Sequence, residues 1–153
     1  MTTLLSVSAI KKGVVIDHIP PGQAVNIIRK LQLTDKKHTM TVGSNLSGKK
    51  APFKDLIKIE RRLLTDLEVQ AIAVLAPGAT ISIIDDYKVI SKMKVVLPEN
   101  ITGLFICPNA NCITRTEIVP TFFYVNPLQE TIRLNCRFCE KTFDREDIKE
   151  YCP

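Results

Sequence analysis

Hydrophobic and polar positions change their period several times along the first two-thirds of the chain. Between Val7 and Ile19 the residues are rich in β-branched types and predict a strand, crossed at Lys11-Lys12-Gly13 by a turn or a bulge. Pro20-Pro21-Gly22 ends that strand. From Ala24 to Leu31, apolar residues at i, i+3, i+4 and i+7 predict one face of a helix. Thr39 to Leu46 then alternates as a strand does.

A second strand–helix unit follows. Asp55–Glu60 is typical of a strand. Thr65 and Glu68 have the spacing of a capping box, in which each side chain accepts a hydrogen bond from a free amide at the other position. The helix that they open should end at Pro77-Gly78, and its apolar residues are Leu67, Ile72 and Leu75.

Two more strands, Thr80–Ile84 and Tyr87–Val96, complete the order β-α-β-β-α-β with one extra strand. This order predicts an α+β fold, a ferredoxin-like antiparallel sheet with two helices on one face. Pro98 lacks an amide donor and ends the last strand. We therefore expect a first domain at residues 1–97 and a small all-β domain at residues 98–153.

The second domain contains four cysteines in two close pairs, Cys107/Cys112 and Cys136/Cys139. The spacing is C-x4-C, then 23 residues, then C-x2-C. Each short loop can turn two sulfurs toward one point, and four thiolates complete a tetrahedral zinc site that leaves no position for water. The pattern predicts one structural zinc ion per chain.

Two disulfides in a secreted protein are the alternative for these cysteines. The first residues show no charged leader, long apolar core or small-residue cleavage site, which favours free thiols in a reducing compartment. The fifth cysteine, Cys152, is expected to be an unligated terminal thiol. With 45% hydrophobic residues and no apolar run near the ~20 residues of a membrane span, we expect a soluble cytoplasmic protein.

Charge is distributed unevenly between the two expected domains. Residues 1–97 hold 15 Lys/Arg and 8 Asp/Glu, whereas residues 98–153 hold 6 and 8. The basic first domain suits a polyanionic ligand, and the second suits nucleic acid poorly. A zinc-ribbon protein that binds nucleic acid is the alternative function. A small metalloenzyme would need an open zinc position and a general base, and neither is apparent.

Several polar residues in the first domain could bind an anion. Asp17-His18 closes the first strand, where an aspartate can accept from ribose hydroxyls and a histidine can reach a phosphate. Lys58 and Lys92 could present cations from two strands to a phosphate chain. Ordinary strand-end polarity and a solvated face with snorkelling lysines are the alternatives. No phosphate-binding glycine loop is present, so side chains and strand backbone would hold any nucleotide.

Six motifs, in the family's order and across essentially the whole chain, resemble the regulatory chain of aspartate carbamoyltransferase. They are Val15-Ile16-Asp17-His18-Ile19-Pro20, Asp55-Leu56-Ile57-Lys58-Ile59-Glu60, Leu75-Ala76-Pro77-Gly78-Ala79-Thr80, Leu97-Pro98-Glu99, Cys107-Pro108-Asn109-Ala110-Asn111-Cys112 and Cys136-Arg137-Phe138-Cys139-Glu140.

The resemblance implies a non-catalytic subunit with a nucleotide-binding allosteric domain and a zinc domain that contacts the catalytic chain. Homodimers of such chains would bridge two catalytic trimers that make carbamoyl aspartate for pyrimidine biosynthesis. CTP would inhibit, ATP would activate, and UTP would act with CTP. By the same resemblance the nucleotide pocket is lined by Val7, Ala9, Ile10, Asp17, His18, Lys58, Ser82, Ile84, Tyr87, Val89 and Lys92.

The resemblance also implies roles for these residues. Backbone groups of Ile10 and Tyr87 would read the base, Asp17 and Lys58 the ribose region, and His18, Ser82 and Lys92 the phosphates. Candidate contacts with the catalytic chain are Asn109, Asn111, Glu140 and Lys141.

Three positions depart from the family's pattern. Ser8 stands where the family often has an acidic residue, Ser82 where it has asparagine, and Leu4 where some members have a lysine near the phosphates. Loss of that lysine makes the end of the first strand less basic. By the same resemblance, we expect this loss to bear on the affinity for triphosphates and on any cooperation between two bound nucleotides.

Overall fold

The computed structural model describes residues 7–49, 52–127 and 131–149, so that Leu4 and Cys152 lie outside the described residues. The chain splits into two compact units, Met1–Val95 and Val96–Pro153. The elements of the first unit are β1 (Gly13–Ile19), α1 (Gln23–Leu31), β2 (Met40–Ser47), β3 (Phe53–Glu60), α2 (Asp66–Leu75), β4 (Thr80–Asp85) and β5 (Lys88–Lys94).

The five strands of the first unit form one sheet in the order β2-β3-β1-β4-β5, and every pairing is antiparallel. β1 lies at the centre because the two strand–helix units place β3 and β4 on either side of it. One face of the sheet is the core face, where Ile16 and Ile57 are buried together with Ile27 of α1 and Ile72 of α2. The predicted α+β fold with a ferredoxin-like sheet is confirmed. The opposite face of the sheet is called the open face below.

The first strand begins later than its β-branched residues predict. It starts at Gly13, and the prediction of a strand from Val7 is wrong for residues 7–12. Gly13 has φ +147°, and a Cβ there would lie 2.0 Å from the carbonyl oxygen of Ile59. Such a close approach admits only glycine and marks the point where the chain enters the sheet. Before it, the Lys12 carbonyl accepts from the Arg61 amide.

Of the two hydrogen bonds predicted for the capping box of α2, one is present. The Thr65 hydroxyl accepts a hydrogen bond from the Glu68 amide at 3.2 Å. The Glu68 carboxylate does not return the bond but accepts from Arg62 at 2.9 Å. Leu67, expected among the helix's apolar residues, is 47% exposed because it lies in the first turn, before the buried run that starts at Ala71.

The two-residue turn between β4 and β5 lies one residue later in the chain than predicted. Asp86 and Tyr87 have φ values of 50° and 63°, so these two residues form the loop. Two successive positive φ values define a type I′ turn, whose twist matches that of the flanking strands. Tyr87 is therefore a turn residue rather than the first residue of a strand, and β5 ends at Lys94 instead of Val96.

The second unit is an all-β fold, as predicted. Its strands are β6 (Asn100–Thr102), β7 (Phe122–Pro127), β8 (Ile132–Cys136) and β9 (Thr142–Asp144), antiparallel and in that order, with single 3-10 turns at Ile113–Arg115 and Arg145–Asp147. Phe105, Phe123, Leu134 and Ile148 form its core. Within the described ranges of both units, no helix is long and apolar enough to cross a membrane.

Candidate metal centre and anion-binding face

The four paired cysteines converge in the second unit. Cys136 is the last residue of β8, and the turn that follows brings Cys139 back beside it. All four Sγ atoms lie within 4.8 Å of one another. Cys107 and Cys139 are 3.7 Å apart, and Cys112 and Cys136 are 3.8 Å apart. A tetrahedron with metal–sulfur bonds of about 2.3 Å has edges of about 3.8 Å, so these thiols fit a four-coordinate ion.

The same separations rule out disulfides in this structure. A disulfide requires about 2.05 Å between its sulfurs. The four cysteines are free thiols, three of them buried and Cys139 half-buried. Each of the two short sulfur–sulfur contacts joins one cysteine of the first pair to one of the second. A metal held here therefore closes the long loop between the pairs.

Hydrogen bonds hold the first cysteine loop in shape. In the first loop, the Cys112 amide donates to the Asn109 carbonyl at 3.0 Å, and the Arg115 guanidinium donates to the Cys107 carbonyl at 2.7 Å. The Asn109 side chain accepts from the Asn111 amide at 3.1 Å. These contacts fix the loop backbone, so the sulfurs are prepositioned for a metal.

The thiols differ in acidity. Burial raises the pKa of Cys107 and of Cys136 above the ordinary value for a thiol. Burial also acts to raise the pKa of Cys112, but hydrogen bonds from the hydroxyl and backbone of Thr114 outweigh it and lower that pKa to about 7. Cys112 is thus the most readily ionised of these three thiols, and a metal bound here would displace protons from Cys107 and Cys136.

In the first unit, a row of residues crosses the open face of the sheet. Lys58 on β3 lies opposite Val15 on β1, Val15 lies opposite Ser82 on β4, and Ser82 lies opposite Lys92 on β5. Residues directly opposite one another in antiparallel strands point to the same face. Lys58 and Lys92 are three strand spacings apart, about 14 Å. The row suits a ligand whose anionic and polar groups are spread along its length.

Asp17 and His18 lie at one end of this face. Both carboxylate oxygens of Asp17 contact Lys54 Nζ, at 2.8 and 3.0 Å. Burial acts to raise the pKa of Asp17, but the hydrogen bonds from Lys54 and from the His18 amide outweigh it and lower that pKa. His18 has φ 57° at a bulge of β1, and its Nδ1 lies 2.9 Å from the Thr80 hydroxyl. The bulge breaks the strand alternation and orients the imidazole toward β4.

Lys58 holds the chain segment that precedes β1. Its ammonium donates to the Ser8 carbonyl at 2.8 Å and to the Val7 carbonyl at 3.4 Å. Burial lowers the pKa of Lys58, and the nearby Asp17 carboxylate acts in the opposite direction. Residues 7–12 therefore leave the sheet pairing but remain attached to the open face.

The same segment reaches the β4–β5 turn at its other end. The Tyr87 amide donates to the Lys11 carbonyl at 3.0 Å, and Ile10 is buried. Ile84 lies opposite Val89, with Ile84 buried and Val89 exposed. The structure therefore places the predicted pocket residues in two connected parts. The segment contributes Val7, Ala9 and Ile10, and the sheet contributes Asp17, His18, Lys58, Ser82, Ile84, Tyr87, Val89 and Lys92.

The sequence analysis missed three residues on this face: Lys54, Thr80 and Lys94. Lys54 binds Asp17, Thr80 contacts His18, and Lys94 lies opposite Thr80. Residues an even number of positions apart on a strand point to the same face, so the positions of Lys58 and Lys92 predict that Lys54 and Lys94 lie on this face too. They belong to a cavity of about 400 Å³ lined by His18, Ile19, Pro20, Pro21, Gly48, Phe53, Lys54, Gly78, Thr80 and Lys94.

A sheet with a lysine-rich open face, followed by four thiols placed to hold a metal ion, defines a two-unit α+β protein with a metal-binding second unit. Residues 5–96 match the family described as "Aspartate carbamoyltransferase regulatory chain, allosteric domain". Residues 99–149 match that family's "metal binding domain".

Curated relatives named aspartate carbamoyltransferase regulatory chain match over almost the full length. The chain is 43% identical to that of Chromobacterium violaceum, over 95% of both chains. It is 45% identical to that of Vibrio sp. (strain 2693), over 94% of both. This chain belongs to the family of aspartate carbamoyltransferase regulatory chains, which are non-catalytic. The resemblance seen in the sequence is confirmed.

Proposed function

We propose that this chain is the regulatory subunit of an aspartate carbamoyltransferase. Its first domain, residues 1–97, binds nucleotide effectors, and its second, residues 98–153, holds zinc and docks on the catalytic chain. The observation that carries the proposal is the row from Lys58 to Lys92, which places two cations and the Ser82 hydroxyl on one open sheet face beside Asp17.

The nucleotide lies along this row with its phosphates at one end. Lys92, Ser82 and His18 contact the phosphates, and Asp17 and Lys58 contact the ribose region. Backbone groups of Ile10 and Tyr87 read the base. The hydrogen bond from the Tyr87 amide to the Lys11 carbonyl supports this role, because it holds the segment that contains Ile10 beside the β4–β5 turn. CTP inhibits, ATP activates, and UTP acts with CTP. The remaining pocket positions, Val7, Ala9, Ile84 and Val89, pack against the ligand.

The metal is zinc, one ion per chain, and its role is structural. Four sulfurs at tetrahedral separations leave no coordination position for water, so the ion builds the fold of the second domain. When bound it crosslinks the two cysteine loops. Free thiols persist in a reducing compartment, which supports a cytoplasmic location.

Regulation follows from a difference in affinity between two states of the assembly. A nucleotide shifts activity only as far as it binds one state better than the other, and such couplings amount to about 1–3 kcal/mol. Homodimers of this chain bridge two catalytic trimers. The contacts with the catalytic chain include Asn109, Asn111, Glu140 and Lys141, which flank the metal ligands.

The test combines assembly with nucleotide binding. The full chain is mixed with catalytic trimers, and carbamoyl transfer to aspartate is measured with CTP, ATP and UTP. Calorimetry then compares Lys58→Ala and Lys92→Ala with Lys36→Ala, a matched control on an exposed loop. Both site variants should bind nucleotide more weakly, while assembly is unchanged. Equal affinities in all three variants would refute the proposed pocket, and a chain that never joins catalytic trimers would refute the proposed function.

A further inference from the structure

The four clustered cysteines differ in how far solvent reaches them. Three of them are at most 1% exposed, whereas Cys139 is half-buried. Cys139 lies in the turn after β8, and its neighbours on either side, Phe138 and Glu140, are exposed. Oxidation of thiols follows their accessibility. A small oxidant in solution therefore reaches the Cys139 sulfur before the other three.

The sulfur that lies against Cys139 belongs to the other cysteine loop. The Sγ atoms of Cys139 and Cys107 are 3.7 Å apart, and those of Cys112 and Cys136 are 3.8 Å apart. Each pair needs to approach by only about 1.7 Å to reach the bond length of a disulfide. The two pairs join residues 32 and 24 positions apart, so each bond would close the long segment between the loops.

Backbone hydrogen bonds hold the turn that carries Cys139. The Glu140 amide donates to the Cys136 carbonyl at 2.8 Å, and the Cys136 amide donates to the Lys141 carbonyl at 2.9 Å. These two bonds close the turn from both ends. The Cys139 sulfur is thereby kept in contact with Cys107 before any reaction takes place.

We propose that this cluster is a redox-sensitive site, at which a hydroperoxide converts the four thiols into two disulfides that replace the metal ion. The first bond joins Cys107 to Cys139, and the second joins Cys112 to Cys136. Together they tie the two cysteine loops and keep the second unit folded without an ion. The inference takes the bound ion from the proposed function, but it needs neither the nucleotide pocket nor the catalytic chain.

The first disulfide forms in two steps. The Cys139 thiolate attacks one oxygen of hydrogen peroxide, the O–O bond breaks, and hydroxide leaves, so that the sulfur becomes a sulfenic acid. The Cys107 thiolate then attacks this sulfur, the S–O bond breaks, and a second hydroxide leaves. Both hydroxides take up protons to form water. The two sulfurs have lost two electrons, which reduced one peroxide to two waters.

The second disulfide follows from the first. With two of its four ligands consumed, the cluster no longer holds an ion. A second peroxide then oxidises Cys112 and Cys136 by the same two steps. Four electrons have left the cluster in all, and two peroxides have become four waters.

Pairing within each loop is the competing outcome. One such bond would join Cys136 to Cys139, three positions apart, and the other would join Cys107 to Cys112, five positions apart. The two loops would then no longer be tied to each other. That product should unfold as the reduced, metal-free chain does, because a bond across a short loop restrains the unfolded chain less than one across a long loop.

The test treats the metal-loaded full chain with graded amounts of hydrogen peroxide, both in the original chain and in Cys152→Ser, which keeps only the four clustered cysteines. A chromogenic chelator records metal release, which should be complete after about two peroxides per ion, since each disulfide consumes one. Circular dichroism should show the second unit still folded. Adding a reductant together with the chelator should unfold it.

Disulfide mapping by mass spectrometry identifies which cysteines are joined. Trypsin cuts after Arg137 and so separates Cys136 from Cys139, while Cys107 and Cys112 stay in one longer peptide. At low peroxide the Cys139 peptide should be linked to the longer peptide, and the Cys136 peptide should join it only at higher peroxide. Fragmentation of the longer peptide between its two cysteines assigns each partner.

Two matched variants test the order of the steps, since each removes one buried ligand. In Cys107→Ser the sulfenic acid at Cys139 loses the thiol that attacks it, whereas in Cys136→Ser that thiol remains. Dimedone should therefore trap at least about fivefold more sulfenic acid at Cys139 in the first variant than in the second. If either variant is unfolded by circular dichroism, the time course of the two disulfides in the original chain decides the order.

A link between the Cys136 and Cys139 peptides would overturn the inference. So would disulfides between two chains, sulfinic acid at Cys139 in place of a disulfide, or an oxidised chain whose second unit is unfolded. Absence of metal from the reduced chain before peroxide is added would instead refute the zinc centre of the proposed function, and this inference with it.

Discussion

Asp55 shows how one buried side chain can connect three elements. It is fully buried, and its carboxylate accepts hydrogen bonds from the amides of Gly22 at 2.9 Å, Ala24 at 3.1 Å and Asn45 at 2.9 Å. α1 has no side-chain cap of its own, because Gly22 occupies its N-cap position. A carboxylate from β3 therefore satisfies the free amides of α1 and also fixes the irregular part of β2.

Asp55→Ala should lower the free energy of unfolding by about 2–4 kcal/mol, because buried amides lose a charged acceptor. Asp55→Asn should cost less, since the amide oxygen still accepts. Urea unfolding of the metal-loaded chain measures both changes. An alanine variant as stable as the original would show that the three hydrogen bonds contribute no net stability.

The pair of Asp17 and Lys54 makes stability depend on pH. Hydrogen bonds lower the pKa of Asp17 below its ordinary value of 3.8, so the unfolded chain binds the proton more tightly. This contribution is complete well above pH 3.8 and is lost as the pH falls through the lower pKa of the folded state.

Asp17→Asn should therefore be less stable than the original chain at pH 7, and the difference should shrink as the pH falls below about 4. Chemical unfolding of both proteins at pH 7, 5 and 3 measures it. A difference that is constant across this range would contradict the assignment.

At the scale of elements, the segment of residues 7–12 depends on a side chain from another strand. Lys58 holds it through the carbonyls of Val7 and Ser8, and Tyr87 holds it through the carbonyl of Lys11. A ligand that competes for Lys58 would therefore loosen the segment or replace its carbonyls.

Lys58→Met should increase the rate of tryptic cleavage after Lys11 and Lys12 about three- to tenfold, because a charge-assisted hydrogen bond no longer closes the segment. Lys92→Met, on the same face but without a contact to the segment among the described residues, is the matched control and should be cleaved at the original rate. Equal rates in both variants would show that Lys58 does not hold the segment.

At the scale of the whole molecule, the metal and the sheet face belong to separate folding units. Four thiols converge within 4.8 Å in the second unit, and we expect the fold of that unit to depend on a bound ion. The described residues of the first unit contain no such cluster.

Chelation should unfold residues ~101–153 and abolish assembly with catalytic trimers, while nucleotide binding by the first unit persists. Cys139→Ser should act as chelation does, and Cys152→Ser should retain the metal, because Cys152 is predicted to be unligated. Circular dichroism measures unfolding, the metal content shows whether the ion is retained, and calorimetry measures the binding of nucleotide and of trimers. Stripped protein that still joined trimers would contradict the structural role of the ion.

Sequence patterns and folded structure agree where the information is local. The helix at Gln23–Leu31 follows from apolar spacing, and the metal ligands follow from two short cysteine loops. They disagree at Val7–Lys12, where β-branched residues predict a strand. The strand instead begins at Gly13, where the backbone closely approaches Ile59, and no property of the segment itself shows this contact.

The chain's sequence by itself determined the order of the elements in the first unit, the set of clustered cysteines and the family, because periodicity and loop spacing act between near neighbours. Tertiary structure alone decided that Asp55 caps α1, that Lys54 pairs with Asp17, and that Lys58 and Lys92 share a row. Each of these arrangements relates residues more than 30 positions apart. Their distances depend on strand register, and register is set when the whole sheet packs.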